Sequence, residues 1–405
     1  MASGVTSSIQ SALTRVPPNL RAVPPQNSQS APRFSTAKPA PASWLRGDRA
    51  AQRLLVIDST SASVVDERLR NLGALLEPGD VLVFNDAATL PASLWARTEN
   101  GQSLELRLAR EDAGVFWAVV LAEGDWRSRT EDRGPAPALA LGETLRLGQA
   151  RARVVNLAPL GTPYSSESPL VALEFEAKGA ALWETLYSTG RPIQYSYIER
   201  PLDLWHVQNV FASRPWAFEL PSAGHGFTTE LLLALRRQGI ESAALTHAAG
   251  ISSTGSEVLD RELPFPESYE IPRATVHAVE RARHWKRRVV AVGTTVVRAL
   301  ESAGVSGRLV AGAGVATLVL GPEPLQRTPN RRPVVGPSVV DSVISGIHQP
   351  GESHYSLLEA FAPPALMARA EAHARTQGYR VHEFGDACLV LGSRDTGTEP
   401  SPMVA

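Results

Sequence analysis

The sequence contains very little cysteine: Cys388 is the only one among 405 residues. That count excludes an internal disulfide and a metal cluster held by several cysteines. No apolar run approaches the roughly 20 residues that a membrane-spanning helix needs, so we expect no membrane partner. Basic residues (40) balance acidic residues (41), which gives a formal net charge of −1. This balance excludes a surface that is basic overall, although it is compatible with a local basic groove for nucleic acid.

Acidic residues are absent before Asp48, and residues 1–32 are rich in serine, proline, alanine and glutamine. This composition predicts a disordered N-terminal extension or a start placed too far upstream. It also fits an organelle transit peptide, and the sequence leaves these alternatives open. The stretch lacks the apolar core of a secretory signal. We expect a cytoplasmic protein, a monomer or a weak oligomer, with residues 396–405 as a tail.

Short apolar runs separated by glycine and proline dominate residues 81–176. Residues 104–108 alternate leucine with charged side chains, which is typical of a half-buried strand. Residues 115–121, 151–157 and 170–176 are also predicted to form strands. Several short strands at this spacing predict a small β-barrel.

After residue 179, helix and strand patterns alternate along the chain. Residues 180–189, 229–237 and 272–285 are predicted helices, and residues 243–246 form a predicted strand. This alternation predicts an α/β fold with a parallel or mixed sheet that is covered by helices.

The most informative stretch is residues 289–301, whose sequence is VVAVGTTVVRALE. Residues 289–292 predict a buried strand that Gly293 ends, and Thr294 or Thr295 is then expected to cap a helix. Such a turn directs free backbone N–H groups at one point, where a carboxylate, a phosphate or a developing anion is stabilised. An ordinary turn in an α/β core would have the same pattern.

Six segments of the chain occur in the order and spacing of motifs from one known family. Residues 289–301 are similar to the family motif AVGTTSVRxLES, and residues 52–58 (QRLLVID) are similar to SRLLVLD. The chain resembles the S-adenosylmethionine:tRNA ribosyltransferase-isomerases of queuosine biosynthesis over about residues 33–395. The other four segments that carry the resemblance are residues 78–94, 220–228, 339–361 and 379–389.

The resemblance implies the domain organisation. It places a small antiparallel β-barrel, residues 90–178, as an insertion in an α/β main domain. That main domain is expected to be barrel-like and discontinuous, over residues 33–89 and 179–395. The strand and helix patterns described above predict the same α/β class and the same small barrel.

The resemblance also implies a reaction. Members of the family transfer and isomerise the ribosyl part of S-adenosylmethionine onto 7-aminomethyl-7-deazaguanine in tRNA. The product is epoxyqueuosine, and adenine and methionine are released. S-adenosylmethionine is therefore the expected co-substrate, and the anticodon region of tRNA is the expected partner. The alternative is a divergent paralogue that binds S-adenosylmethionine or a related nucleoside, but acts on another substrate or is inactive.

Ionisable residues in the family-like segments are the candidate catalytic groups. His247 and His348 match family histidines, and His225 lies one position away from a third. Histidine suits proton transfer because its unperturbed pKa lies near neutrality. Asp86 follows the predicted strand at 81–84 and is expected to face the ligand crevice, although a simple turn explains it equally well. The histidines are too dispersed to predict a metal site, so we expect none.

The candidate residues for binding S-adenosylmethionine lie in the same segments. The turn at Thr294 and Thr295, together with Arg298, is expected to hold an anionic group of the co-substrate. Small residues at 222–224 would let the backbone approach a flat ligand. Aspartates are expected to orient ribose hydroxyls or base edges. The full set of binding candidates is Asn85, Ser222, Gly224, Thr294, Thr295, Arg298 and Asp386.

Departures from the family motifs introduce new charged groups. The family's Ser-Thr-Leu corresponds to Glu352, Ser353 and His354 here, so two ionisable side chains replace a hydroxyl-bearing and an apolar one. Glu267 and Ser268 stand in reversed order relative to the family motif.

Overall fold

The chain folds into strands and helices whose bounds follow its apolar runs. A computed structural model describes residues 39–157, 170–321, 332–334 and 336–392. The predicted extension at 1–32 and the predicted tail at 396–405 lie outside the described residues. The strands are β1 (Arg53–Asp58), β2 (Ser63–Arg68), β3 (Val81–Asn85), β4 (Ala87–Thr89), β5 (Ser93–Arg97), β6 (Ser103–Asp112), β7 (Val115–Ala122), β8 (Thr144–Leu147), β9 (Ala150–Asn156), β10 (Leu170–Phe175), β11 (Gly190–Arg191), β12 (Arg214–Ala217), β13 (Glu241–His247), β14 (Glu267–Ile271), β15 (Val289–Val292), β16 (Gly312–Ala316), β17 (Leu318–Leu320), β18 (Arg332–Val334), β19 (Ser342–Gly346) and β20 (Ala387–Leu391).

The helices begin and end close to the positions that the sequence predicts. Thr228 caps the second helix, because its Oγ1 accepts a hydrogen bond from the Leu231 N–H at 3.2 Å. The predictions for α1, α2, α4, β13 and β15 are confirmed. The α-helices are α1 (Ala180–Thr189), α2 (Thr229–Arg237), α3 (Glu257–Asp260), α4 (Arg273–His284), α5 (Thr294–Gly304), α6 (Ser353–Leu358) and α7 (Pro364–Thr376).

The main sheet has nine strands in the order β16-β14-β13-β3-β15-β19-β20-β1-β2. Strands β13, β3, β15 and β19 are mutually parallel, whereas β14 and β20 run antiparallel to β13 and β19. The carboxyl ends of the four parallel strands therefore meet the amino ends of β1, β14 and β20 at one edge, which we term the carboxyl edge. Ligands of α/β sheets bind outside this edge.

Both faces of the main sheet are covered, which explains its continuous apolar strands. In β3, Val81 and Val83 pack with apolar residues of α4, α5 and α7. The alternate residues Leu82 and Phe84 pack with apolar residues of α2. Burial on both faces fixes β3 at the centre of the sheet and leaves its carboxyl end for polar residues.

The second sheet closes into a barrel. Its order is β11-β5-β6-β7-β10-β9-β8, and an additional pairing of β5 with β8 joins the ends of six antiparallel strands. These six strands, β5 to β10, lie between Ser93 and Phe175 and enclose a separate apolar core. The α/β class and the inserted antiparallel barrel are confirmed. The domain boundaries at 90 and 178 stay a prediction.

The cap of α5 differs from the prediction. The residue that caps the helix is Gly293, and Thr294 and Thr295 lie inside the first turn. Gly293 has φ 106° and ψ 149°, a conformation that side chains with a Cβ rarely adopt, so a threonine at this position would be strained. The Gly293 N–H donates to the Ile344 carbonyl at 2.8 Å and thereby joins the start of α5 to β19.

Candidate active site

Five of the predicted site segments end at the carboxyl edge of the main sheet. Asn85 and His247 are the last residues of β3 and β13, and Gly293 follows β15 directly. His348 lies two residues beyond β19, and Asp386 lies one residue before β20. Segments that are up to 300 residues apart in sequence are therefore neighbours at one edge.

Asn85 and Asp86 follow β3 and have different surroundings. The Asn85 amide donates to the His247 carbonyl at 3.0 Å and accepts from the His247 N–H at 2.9 Å, so it joins β3 to β13. The Asp86 carboxylate accepts from Thr246 Oγ1 at 2.7 Å and from Ser213 Oγ at 3.0 Å. Asn85 is buried whereas Asp86 is partly exposed, so Asp86 is the one of the two that a ligand can reach.

The turn before α5 contacts the short 3-10 helix Ser222–Gly224. A Cβ placed on Gly293 would lie 3.6 Å from the Cβ of Ala223, so the two backbones lie side by side. A Cβ on Gly224 would lie 2.9 Å from the ring of Phe211. Packing against Phe211 therefore requires a glycine at position 224. The sequence pattern instead explains this glycine by the close approach of a ligand.

His225 is held by the fold. Its Nε2 lies 3.2 Å from the carbonyl oxygen of His206, and its ring packs edge-on against Phe384 at 5.2 Å. Burial, and then the positive charge of Arg49, lower the pKa of His225 to about 4. The ring is therefore neutral at neutral pH, and its Nε2–H donates to the His206 carbonyl. This hydrogen bond leaves Nε2 unavailable as a base.

His247 is completely buried, with 0% of its surface exposed. Its Nε2 lies 3.6 Å from a carboxylate oxygen of Glu267, and no hydrogen bond to either ring nitrogen is formed within the described residues. Burial, and then the charge of Arg298, hold the pKa of His247 well below its usual value. The ring is therefore neutral at physiological pH and shielded from solvent.

Arg298 lies beneath the site in a buried ion pair with Glu267. Its guanidinium also donates to the carbonyls of Ala316 at 2.9 Å and Leu318 at 3.2 Å. The other oxygen of Glu267 accepts the Gly250 N–H at 2.5 Å. These contacts tie α5 to β14, β16 and the loop after β13, and the predicted role of Arg298 in holding an anion of the co-substrate stays a prediction.

His348 forms a serine–histidine–glutamate arrangement after β19. Its Nε2 lies 3.1 Å from Ser345 Oγ, and its Nδ1 lies 3.3 Å from Glu352 Oε2. The ring stacks on that of His354 at 4.7 Å with an interplanar angle of 12°. The side chain of His348 is 18% exposed, so it is the accessible member of the three predicted histidines.

Asp386 joins the start of β1 to the loop before β20. Its carboxylate accepts from Arg46 Nη2 at 2.6 Å, from the Arg53 N–H at 3.3 Å and from the Arg380 N–H at 2.8 Å. It is 2% exposed. These contacts join Asp386 to three segments of the protein, and its predicted role in orienting ribose stays a prediction.

A small pocket adjoins this region, and Tyr195, Glu219, Glu383 and Phe384 are among its lining residues. Tyr195 donates to Glu219, and Tyr197 donates to Glu383. Burial raises the pKa of Glu219 to about 7; the Tyr195 hydrogen bond opposes this shift, and the charge of Glu383 adds to it. Glu219 is therefore partly protonated at neutral pH.

Comparison with known proteins decides the family. The family model described as queuosine biosynthesis protein matches residues 32–390. The chain belongs to this family. The S-adenosylmethionine:tRNA ribosyltransferase-isomerase of Thermus thermophilus is 34% identical over 349 residues, which cover 84% of this chain and 92% of that protein. The protein of the same name from Acidithiobacillus ferrooxidans is 32% identical over 351 residues, or 85% and 92% of the two chains.

A solved structure of S-adenosylmethionine tRNA ribosyltransferase from Thermotoga maritima is also similar to this family member. It is 22% identical, and the alignment covers 88% of this chain and 99% of that chain with a TM-score of 0.45. The resemblance inferred from the six sequence segments is confirmed by the family match.

Several residues of the site in this queuosine biosynthesis family member were missed by sequence reasoning. Glu267 pairs with Arg298, and Glu352 pairs with His348. Glu267 and Glu352 both stand at positions where the sequence differs from the family motifs. That difference was the one indication in the sequence that these two glutamates belong to the site. The contact between Tyr195 and Glu219 gave no signal, because it joins residues in two unrelated segments.

The raised pKa of Glu219 predicts that this residue lowers the stability of the fold as the pH increases. Its folded value of about 7 exceeds the usual 4.5, so the stabilisation from holding the proton is complete below pH 4.5 and is lost as the pH rises to 7. Replacing Glu219→Gln should therefore increase the free energy of unfolding at pH 8 by about 3 kcal/mol and change it little at pH 4.5. Urea unfolding at the two pH values measures this.

Glu174→Gln is the matched control, because its carboxylate is 52% exposed on the barrel. It should change stability little at either pH. Equal effects of the two substitutions at pH 8 would contradict a raised pKa of Glu219 in the folded protein.

Two other kinds of site are absent from the part of the chain that the structure describes. No group of three or more histidine, cysteine, aspartate or glutamate side chains is arranged to hold a metal ion there. No helix in the same residues has the length and apolar character needed to cross a membrane.

Proposed function

We propose that this protein transfers and isomerises the ribosyl part of S-adenosylmethionine onto 7-aminomethyl-7-deazaguanine in tRNA. The product is epoxyqueuosine, with release of adenine and methionine. The observation that carries the proposal is the convergence of family-like segments at the carboxyl edge, where an accessible histidine is paired with a carboxylate. The names of the relatives support S-adenosylmethionine and tRNA as the two substrates.

His348 is the proposed general base. The reaction requires a proton to be taken from the carbon next to the sulfonium, and a base must reach that carbon. His247 is fully buried, and the Nε2 of His225 is committed to a backbone carbonyl. His348 remains, with a partly exposed ring and a carboxylate at its Nδ1. His225 and His247 are then expected to act through the packing of the site.

The first turn of α5 is the proposed anchor for the methionine carboxylate. The glycine conformation at Gly293 starts the helix directly at the carboxyl edge, so the N–H groups of Thr294 and Thr295 lie in its unsatisfied first turn. A helix N-terminus favours an anion. Asp86, which is partly exposed beside Thr246, is the proposed partner for a ribose hydroxyl.

The anticodon region of tRNA remains the proposed partner. The cytoplasmic location and the monomeric or weakly oligomeric state expected from the sequence also stay predictions. The alternative of a repurposed paralogue has less support, because the family match extends over residues 32–390.

Release of adenine and methionine tests the proposal directly. We expect the purified protein to release both from S-adenosylmethionine when tRNA carrying 7-aminomethyl-7-deazaguanine is present, and not with tRNA that lacks this base. Mass spectrometry of the tRNA should show the epoxyqueuosine product. Measurable binding of S-adenosylmethionine without release, at any tRNA concentration, would instead establish the paralogue.

A further inference from the structure

The carboxylate of Glu352 lies beside the ring of His348, with its Oε2 3.3 Å from Nδ1. We propose that Glu352 is a positioning residue: it keeps the proton of neutral His348 on Nδ1, so that Nε2 is the nitrogen that accepts a proton in the reaction. The catalytic part of this inference rests on the proposed function. The part that concerns the tautomer of His348 does not.

The argument begins with the ionisation of Glu352. Burial alone would raise its pKa, but the hydrogen bond and charge of His348, and the Gln349 N–H, outweigh burial and lower the pKa. Glu352 is therefore ionised at neutral pH and can only accept hydrogen bonds. Its Oε2 lies 3.3 Å from His348 Nδ1, so that nitrogen must donate.

The second step concerns the opposite nitrogen. A neutral imidazole carries one proton, so donation from Nδ1 leaves Nε2 as an acceptor. Nε2 faces the Ser345 hydroxyl at 3.1 Å, and a hydroxyl can donate to it. Histidines that act as bases or ligands are commonly oriented by a partner of this kind at the other ring nitrogen.

The surroundings keep this arrangement in place. The Gln349 N–H donates to the same Oε2 atom at 3.1 Å, so the carboxylate has two donors that fix its position. His354 stacks on His348, and burial, and then the charge of His348, lower the pKa of His354 to about 3. His354 is therefore neutral at physiological pH and brings no positive charge against the ring of His348.

Two variants separate hydrogen-bond acceptance from side-chain size. Glu352→Gln keeps an oxygen that can accept from both His348 Nδ1 and the Gln349 N–H, whereas Glu352→Met has a similar length and no strong acceptor. Glu359→Met, just after the end of α6, is the matched control. Nitrogen-15 NMR of the full chain without substrates, assigned with His348→Asn, reports which ring nitrogen carries the proton.

We expect the Nδ1–H tautomer of His348 in the unchanged protein, in Glu352→Gln and in Glu359→Met. In Glu352→Met the Nε2–H tautomer should predominate. The kcat for adenine release should fall about tenfold in Glu352→Met with little change in the KM for S-adenosylmethionine, and Glu352→Gln should retain most of kcat.

The two readouts separate this inference from the proposed function. A Nε2–H tautomer in the unchanged protein, or an unaltered tautomer in Glu352→Met, overturns the positioning role whatever the activity. The expected tautomers together with no adenine release overturn the proposed function and leave the orientation by Glu352 established. A kcat that is equal in Glu352→Met and Glu359→Met, despite the tautomer change, overturns the catalytic part.

Discussion

Replacing Glu267→Gln is expected to lower the free energy of unfolding by about 3–5 kcal/mol, because it removes the buried carboxylate that forms an ion pair with the guanidinium of Arg298. Arg298 is 4% exposed and Glu267 is 6% exposed. At this depth the charge of the guanidinium is poorly hydrated, and the hydrogen bonds that it keeps include those to the backbone carbonyls of Ala316 and Leu318. The glutamate also accepts the Gly250 N–H, so the loop after β13 loses an anchor in the same variant.

Urea unfolding at neutral pH measures this effect, and an exposed ion pair provides the matched control. Arg281 and Glu241 form such a pair, with side chains 50% and 40% exposed. Glu241→Gln should cost at most about 1 kcal/mol, because solvent screens the charges. A loss of stability in Glu267→Gln no larger than in Glu241→Gln would show that the buried pair does not hold α5 against β14.

This buried pair illustrates what could not be predicted from the sequence. Arg298 was expected near an anion, and it is, but the anion is a glutamate 31 residues earlier in the chain. The sequence around Arg298 does not reveal this partner. β14 and α5 are separated along the chain, and the order of strands in the sheet brings them together. The sole sequence signal was the inverted order of Glu267 and Ser268 relative to the family motif.

The strands and the barrel were predictable for a physical reason. Residues 289–292 are apolar at every position because β15 is buried on both faces. Residues 104–108 alternate leucine with charged side chains, and this pattern predicts a half-buried strand. The structure corrects that prediction: β6 is buried along the whole stretch, because Glu105 and Arg107 form a buried ion pair. Helix starts were less certain. The cap of α5 depends on the positive φ of Gly293, which the hydrogen bond from its N–H to β19 helps to fix, and a capping threonine is equally compatible with the sequence.

The ranking of the candidate histidines also required the structure. His225 and His348 lie in family-like segments, His247 matches a family histidine, and each has the chemistry of a base. Their surroundings separate them: His247 is inaccessible, His225 is bonded to a carbonyl, and His348 is partly exposed beside a carboxylate. Burial is set by the packing of distant elements, so it could not be derived from spacing.

Replacing His348→Asn is expected to lower kcat for adenine release by about 10²–10⁴-fold, because the proposed general base is lost. Asparagine keeps a polar group that can bond Ser345 or Glu352, so the loop after β19 should keep its fold. Binding of S-adenosylmethionine, measured by calorimetry, should change little, since the proposed anchor for its carboxylate is the first turn of α5.

His373→Asn is the matched control for this experiment. His373 lies on α7, is 30% exposed and also pairs with a carboxylate, that of Asp66. It therefore has the chemistry of His348 at a position away from the carboxyl edge, and its replacement should leave kcat within about twofold, because it touches none of the residues proposed to bind or react. If His348→Asn behaves like His373→Asn, while a folded His247→Asn variant loses activity, the proton is taken at β13. The site must then open to bring His247 into contact with substrate.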